Sequence, residues 1–226
     1  MKLFLTLCIF ISMTEFSYAQ DWANIERYKN GNALLEEPKQ GENRVVFMGN
    51  SITEGWINAR PGFFANKTFV NRGIGGQTTP QMLVRFRQDV IGLKPKIVII
   101  LAGVNDIAGN TGRSTLEMIM DNIISMAELA KANDIKVILS SVLPAFDFSW
   151  RPGLEPSTKI IALNKMIKEY ADENEIVYLD YFTAMVDERN GLKDEYTYDG
   201  VHPNEAGYKA MEPLALEAIA KALTEN

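Results

Sequence analysis

From Arg44 onward the chain alternates short continuous apolar runs with longer segments in which apolar residues recur at helical spacing. Runs of four or five residues rich in Val, Ile and Leu suit strands covered on both faces, and the amphipathic segments between them suit the covering helices. Five strands are predicted: Val45 to Met48, Phe69 to Gly73, Ile97 to Leu101, Val137 to Ser141 and Ile176 to Leu179. Helices are predicted over Pro80 to Ile91, Ser114 to Ala132, Lys159 to Ala171 and Glu205 to Leu223. In the second of these, Met118, Ile119, Ile123 and Met126 mark one buried face. An earlier helix around Trp22 to Tyr28 is expected to pack across the sheet ahead of the first strand. Strands alternating with crossover helices imply an α/β fold built on a parallel sheet. The longest irregular stretch, Pro144 to Pro156, follows the fourth strand. It should therefore emerge at the rim beyond the strands' carboxyl ends, where open α/β sheets bind ligands.

Composition narrows the class. With 226 residues, a hydrophobic share of 46% and a charged share of 23%, the chain reads as one soluble globular domain. A net charge of −6 with acidic and basic residues intermixed offers no basic patch, which argues against nucleic acid and anionic membrane surfaces as partners. The N-terminus adds a destination. Met1-Lys2, the apolar run Leu3 to Met13 and then Ser17-Tyr18-Ala19-Gln20 have the positive start, apolar core and small residues of a secretory signal peptide cut after Ala19. About eleven apolar residues fall short of the roughly twenty that cross a bilayer, so no stable membrane insertion is expected. Residues 1–19 are read as a leader, residues 20–226 as the mature domain, and the location as secreted or periplasmic. The only cysteine, Cys8, leaves with the leader, and the mature chain then has no disulfide, thiol nucleophile or thiolate metal site.

Four polar segments, far apart in sequence, fall beyond predicted strands. Gly49-Asn50-Ser51-Ile52-Thr53 follows the first, Gly73-Ile74-Gly75-Gly76-Gln77-Thr78 the second and Gly103-Val104-Asn105-Asp106 the third, while Asp199-Gly200-Val201-His202-Pro203-Asn204 lies beyond the fifth. Each has an ordinary structural explanation: Ser51 as a helix N-cap, Gly76 as a left-handed turn position, Asn105 as a turn or cap residue, and the last segment as a loop held by an Asx turn and a proline. His202 shifts the balance, because it is the only histidine in the chain and imidazole is the side-chain type that exchanges protons near neutrality. A serine hydroxyl is a weak nucleophile until a base takes its proton. Asp199, three residues before His202, can orient the imidazole and stabilise the imidazolium. Acyl transfer also needs donors for the oxyanion of the tetrahedral intermediate, and the N–H of Gly76, the amide of Asn105 and the N–H of Ser51 are suitable.

Together these blocks resemble the SGNH (GDSL-type) hydrolases, named for the Ser, Gly, Asn and His of four blocks, and the resemblance covers nearly all of the mature chain in order. The Asp-Gly-Val-His-Pro-Asn segment is its most specific piece. The resemblance implies Ser51 as nucleophile, His202 and Asp199 completing a triad, and Gly76 and Asn105 as oxyanion donors. It further implies a flavodoxin-like three-layer α/β/α sandwich with a five-stranded parallel sheet, and no metal or organic cofactor. One position departs from the pattern: the first block of the family usually reads Gly-Asp-Ser, and here Asn50 replaces the Asp. That Asp is not the triad acid, and an asparagine makes similar turn hydrogen bonds. Gly-Asn-Ser-Ile-Thr-Glu-Gly-Trp looks like a branch common among exported bacterial esterases, some acting on acylated carbohydrates.

Other chemistries suit these residues less well. The segment Gly73 to Thr78 lacks the third glycine of a dinucleotide fingerprint and follows the second strand rather than the first. One histidine and no mature cysteine leave only carboxylates to complete a zinc site. The expectation is a serine esterase acting on short acyl groups, especially acetyl on carbohydrate, with a small-molecule or glycan acyl ester as its partner. Lysophospholipase or thioesterase activity, or a non-catalytic glycan-binding module on the same fold, are the alternatives. Trp56, one short turn beyond Ser51, and Phe146, Phe148, Trp150 and Arg151 in the long loop are candidates for substrate contact. The aromatic faces suit a sugar ring or acyl chain and Arg151 suits a carboxylate, unless these residues pack the loop onto the domain.

Overall fold

A computed structural model describes residues 21–65 and 68–224; the proposed leader lies outside these residues. Strands β1 (Val45–Gly49), β2 (Phe69–Gly73), β3 (Ile97–Leu101), β4 (Lys136–Ser140) and β5 (Val177–Leu179) form one sheet in the order β2-β1-β3-β4-β5, every neighbouring pair parallel. The chain steps from β1 outward to β2, then crosses back to β3 on the other side of β1. The loops after β1 and β3 therefore diverge at a switch point, where such sheets bind ligands.

The described helices are α1 (Lys29–Ala33), α2 (Ser51–Ala59), α3 (Pro61–Phe64), α4 (Thr79–Asp89), α5 (Val104–Ile107), α6 (Leu116–Lys131), α7 (Pro156–Glu173), α8 (Tyr181–Met185) and α9 (Glu205–Thr224). Strand side chains alternate between two cores. Val46, Met48, Val98, Ile100, Val137 and Leu139 pack with Met82 and Phe86 of α4, Ile119, Ile123 and Met126 of α6, and Ile160, Leu163 and Ile167 of α7. Val45, Phe47, Ile97, Ile99, Ile138, Val177 and Leu179 pack with Ile52 and Trp56 of α2, Phe63 and Phe64 of α3, and Tyr208, Met211 and Ala215 of α9. This is the expected three-layer sandwich, and coverage of both faces is why the strand runs are apolar throughout.

The observed elements differ from the predicted ones mainly at their ends. The fourth strand is shifted one residue toward the N-terminus and the fifth begins one residue later. The helix expected around Trp22 to Tyr28 is a 3-10 turn over Ile25–Tyr28 leading into α1. It braces the β2 edge and α4 through polar contacts: the Tyr28 hydroxyl donates to the Gly73 carbonyl at the end of β2, and the Asn32 amide donates to Asp89 at the end of α4 at 2.7 Å. Met118 does not belong to the buried face of α6. It is 52% exposed, whereas Ile119, Ile123, Met126 and Ala130 form the buried stripe, and one residue off such a stripe is about 100° round the helix axis. Below the rim, the fully buried Arg85 donates to the Gln77 side chain at 2.6 Å, to Asp89 at 2.9 Å and to the carbonyls of Gly49 and Arg72 at 3.1 and 2.9 Å. These bonds tie α4 to the ends of β1 and β2, from which two of the polar segments emerge.

Candidate active site

Beyond β1 the chain turns directly into α2, and the cap of that helix is Asn50, whose Oδ1 accepts the Ile52 N–H at 3.1 Å. The N-cap explanation therefore applies to Asn50, and the Ser51 hydroxyl has another partner: it donates to His202 Nε2 at 2.9 Å. On the far side of the ring, Nδ1–H donates to Asp199 Oδ2 at 2.7 Å. The two contacts together require the tautomer protonated at Nδ1, with the Nε2 lone pair facing the serine. Asp199 Oδ1 accepts the N–H groups of Val201 at 3.0 Å and His202 at 2.7 Å. The Asx turn and the imidazole contact thus coexist, one on each carboxylate oxygen. Burial acts to raise the Asp199 carboxyl, but the hydrogen bonds from the His202 backbone and ring and from Val201 outweigh it and hold the group below the usual carboxylate range.

Gly76 takes φ +75° in the loop between β2 and α4, a left-handed value that glycine adopts without steric cost. Side chains from the segment after β3 hold this loop. The Asn105 amide donates to the Gln77 carbonyl at 2.9 Å, Asn110 donates to the Gly76 carbonyl at 3.1 Å, and Asp106 accepts the Thr79 N–H at 3.0 Å and its hydroxyl at 2.6 Å. From the other side, Glu54 accepts the Gly75 N–H at 2.8 Å and is itself held by Arg27 at 2.9 Å. A Cβ on Gly75 would lie 3.9 Å from the Ser51 Cβ, so the Gly76 N–H is one peptide unit from that contact. Asn105 has a second amide hydrogen beyond the one given to Gln77. Ser51 is the first residue of α2, where a helix leaves backbone donors unpaired.

Asp106 carries no role in the sequence reading, yet it is 2% exposed and sits beside Asn105. Burial raises its carboxyl to about 6 despite the opposing Thr79 hydrogen bonds. A carboxyl that binds its proton more tightly in the fold than in the unfolded chain contributes stability that is greatest at low pH and declines as pH rises through about 6.

The rim residues divide. The Trp150 ring lies 5.9 Å from His202, and Phe148, fully buried, stacks beneath Trp150 at 5.1 Å. Arg151 donates to the Ala108 carbonyl beside Gly109, over the end of α5. Tyr198, absent from the sequence candidates, stacks on His202 at 5.8 Å with an interplanar angle of 10° and is 71% exposed. Its position next to Asp199 was the available signal. Trp56 is a correction: it is 2% exposed, stacked between Phe63 at 5.0 Å and Tyr208 at 5.6 Å in the core. Five residues along a helix is about 140° round from Ser51, whereas three, four and seven residues return to its face; Glu54, Gly55 and Asn58 occupy those positions. Among the described residues, no cluster of three or more His, Cys, Asp or Glu is arranged to hold a metal ion, and no helix is long and apolar enough to cross a membrane.

The Ser51 hydroxyl, the His202 imidazole and the Asp199 carboxylate thus stand in hydrogen-bonded sequence, an arrangement that recurs among serine hydrolases of unrelated fold. The chain belongs to the GDSL-like lipase/acylhydrolase family, with the match running over residues 47–210. It is 52% identical to a candidate acylhydrolase from Bacteroides fragilis NCTC 9343, whose crystal structure superposes with a TM-score of 0.89 over 91% of this chain and 100% of that one. A GDSL-like lipase from Bacteroides thetaiotaomicron VPI-5482 is 51% identical, with a TM-score of 0.86 over 88% of this chain and 98% of that one. An acetylxylan esterase of Xylanibacter ruminicola is 27% identical over 221 residues, 82% of this chain. The chain spans about half the length of two curated relatives, 45% of that esterase and 51% of a lipoprotein from Bacillus subtilis.

Proposed function

We propose that this protein is an exported serine esterase that removes short acyl groups, acetyl above all, from carbohydrates. The observation that carries the reading is the unbroken relay from Ser51 Oγ through both ring nitrogens of His202 to Asp199, at 2.9 and 2.7 Å. In this mechanism the Ser51 hydroxyl gives its proton to Nε2 as its oxygen bonds to the ester carbonyl carbon. The carbonyl π pair moves onto oxygen, where the N–H groups of Ser51 and Gly76 and the Asn105 amide receive the charge. Collapse breaks the bond to the alcohol oxygen, which leaves with the proton from His202. Water then repeats the sequence on the acyl-enzyme, releasing the carboxylic acid and restoring Ser51. Asp199, held in its charged form by its hydrogen bonds, orients the ring and stabilises the imidazolium.

The carbohydrate part of the reading is supported by similarity to the acetylxylan esterase and by the exposed aromatic faces of Trp150 and Tyr198 beside His202. Export is supported by the apolar run Leu3 to Met13 followed by the small residue Ala19. Screening p-nitrophenyl esters of increasing chain length alongside acetylated glycans tests the proposal, with kcat/KM expected to be highest for acetate. A maximum at long chains replaces it with a lysophospholipase- or thioesterase-like activity, and absence of turnover on every activated ester with a glycan-binding module. Within the same assay, Asn105→Ala is expected to lower kcat by about 10²- to 10³-fold with little change in KM, the signature of a donor used in the transition state. A loss confined to KM would make Asn105 a ground-state binding group.

A further inference from the structure

Beside the nucleophile runs a groove of about 580 Å³ that the relay chemistry does not use, lined by Ser51, Glu54, Gly55 and Asn58 on one face of α2, by Arg27, Tyr28 and Gly31 opposite, and floored by Phe69 and Val70 of the edge strand β2. Its size falls within the range of small-molecule sites, about 300–1,000 Å³, and far exceeds what an acetyl group needs. Gly31 is the informative residue. It is the middle residue of the five-residue helix α1, and glycine is among the poorest helix formers. Its φ is not positive, and a Cβ there would meet nothing within 4 Å, so neither backbone conformation nor packing calls for glycine. Gly31 is part of the groove lining, where a side chain would add bulk. The lining also selects the chemistry of the occupant. Arg27 and Glu54 neutralise each other at 2.9 Å, and Arg72 is buried with its guanidinium 4.7 Å over the Tyr28 ring and bonded to Asn32. The exposed surface therefore presents the paired Arg27 and Glu54 and the exposed Asn58, with the Arg72 cation buried behind the Tyr28 ring, alongside small apolar areas from Ile57, Phe69 and Val70.

From these features we infer that the groove holds the alcohol portion of the ester, a neutral polyhydroxylated chain of sugar rings, with Gly31 keeping the space open and Asn58, Glu54 and Arg27 meeting its hydroxyls. The inference rests on the esterase reading for the word ester, and its test is separable from that reading. Gly31→Trp and Gly31→Leu fill the groove to different extents, and Asn58→Ala removes an exposed amide with little risk to folding, which circular dichroism checks. Kinetics on an acetylated xylo-oligosaccharide and on p-nitrophenyl acetate give a ratio of kcat/KM values, expected to fall at least tenfold in Gly31→Trp, chiefly through KM, and about threefold in Asn58→Ala. Binding of unacetylated xylotetraose, followed by NMR on the intact protein, is expected to weaken in the same variants. Wild-type protein that binds xylotetraose, more weakly in the variants, but cleaves no activated ester keeps the groove and removes the esterase. Cleavage of p-nitrophenyl acetate with no xylotetraose binding, or with an unchanged ratio in folded variants, overturns the groove. A Gly31→Trp loss confined to longer p-nitrophenyl acyl chains also overturns it, by making the groove an acyl channel.

Discussion

Ser51→Ala is expected to leave the fold intact and to lower turnover of a soluble acetyl ester by about 10⁴-fold or more, as loss of the nucleophile does in other serine triads. The fold survives because the cap of α2 is Asn50 rather than Ser51, so deleting the hydroxyl exposes no helix end. The residual rate reflects the oxyanion donors and substrate binding, which act whether or not a covalent intermediate forms. A serine-directed organophosphate, located by mass spectrometry, is expected on Ser51 alone. Full esterase activity in the alanine variant would falsify the nucleophile assignment.

His202→Ala is expected to cause a loss of similar size and to remove the ionisation through which kcat/KM rises with pH, since only the neutral ring accepts the serine proton. Asp199→Asn should be less severe, because the imidazole remains while the carboxylate that orients it is lost. The Asp199 carboxyl lies below its usual range, so it stays charged where the imidazole exchanges its proton and adds nothing to that limb of the profile. Asp106 does add a complication, since burial pushes its carboxyl up to about 6 and it neighbours Asn105. Kinetics must therefore be paired with an NMR titration of the imidazole, which needs no assignment because the chain has one histidine. A kinetic midpoint within about one unit of the imidazole value, lost in His202→Ala, identifies the base. A midpoint that persists in His202→Ala and disappears in Asp106→Asn attributes the pH dependence to the buried carboxyl and removes His202 from that role.

Much of the architecture is legible in the chain because burial acts on every residue of a doubly covered strand. Val45 to Met48 and Ile97 to Leu101 admit no polar position, and their length separates them from the helices. Similar reasoning reaches α4, α6, α7 and α9, whose buried stripes repeat often enough to be read, with the error at Met118 arising where one residue of phase decides exposure. The polar segments stand out because they follow strands in a fold that binds ligands there. Helical phase counted from Ser51 would also have turned Trp56 away from the rim and brought Glu54 and Asn58 toward it.

The sequence by itself therefore determined the strand and helix types, the parallel sheet and the few segments able to carry acyl chemistry, because each of these is a local pattern repeated over neighbouring residues. Only the tertiary structure decided that Asn50 caps α2, that Glu54 and Arg27 hold the Gly75 peptide, that Asp106 is buried against Thr79, and that Gly31 opens onto a groove beside Ser51. These are juxtapositions of segments 20 to 27 residues apart, or the choice between two adjacent polar side chains. Glu54 meets Gly75 and Asp106 meets Thr79 because the order β2-β1-β3 sets the loops after three different strands side by side, while Arg27 and Gly31 arrive from the segment ahead of β1, and periodicity along the chain is blind to both juxtapositions.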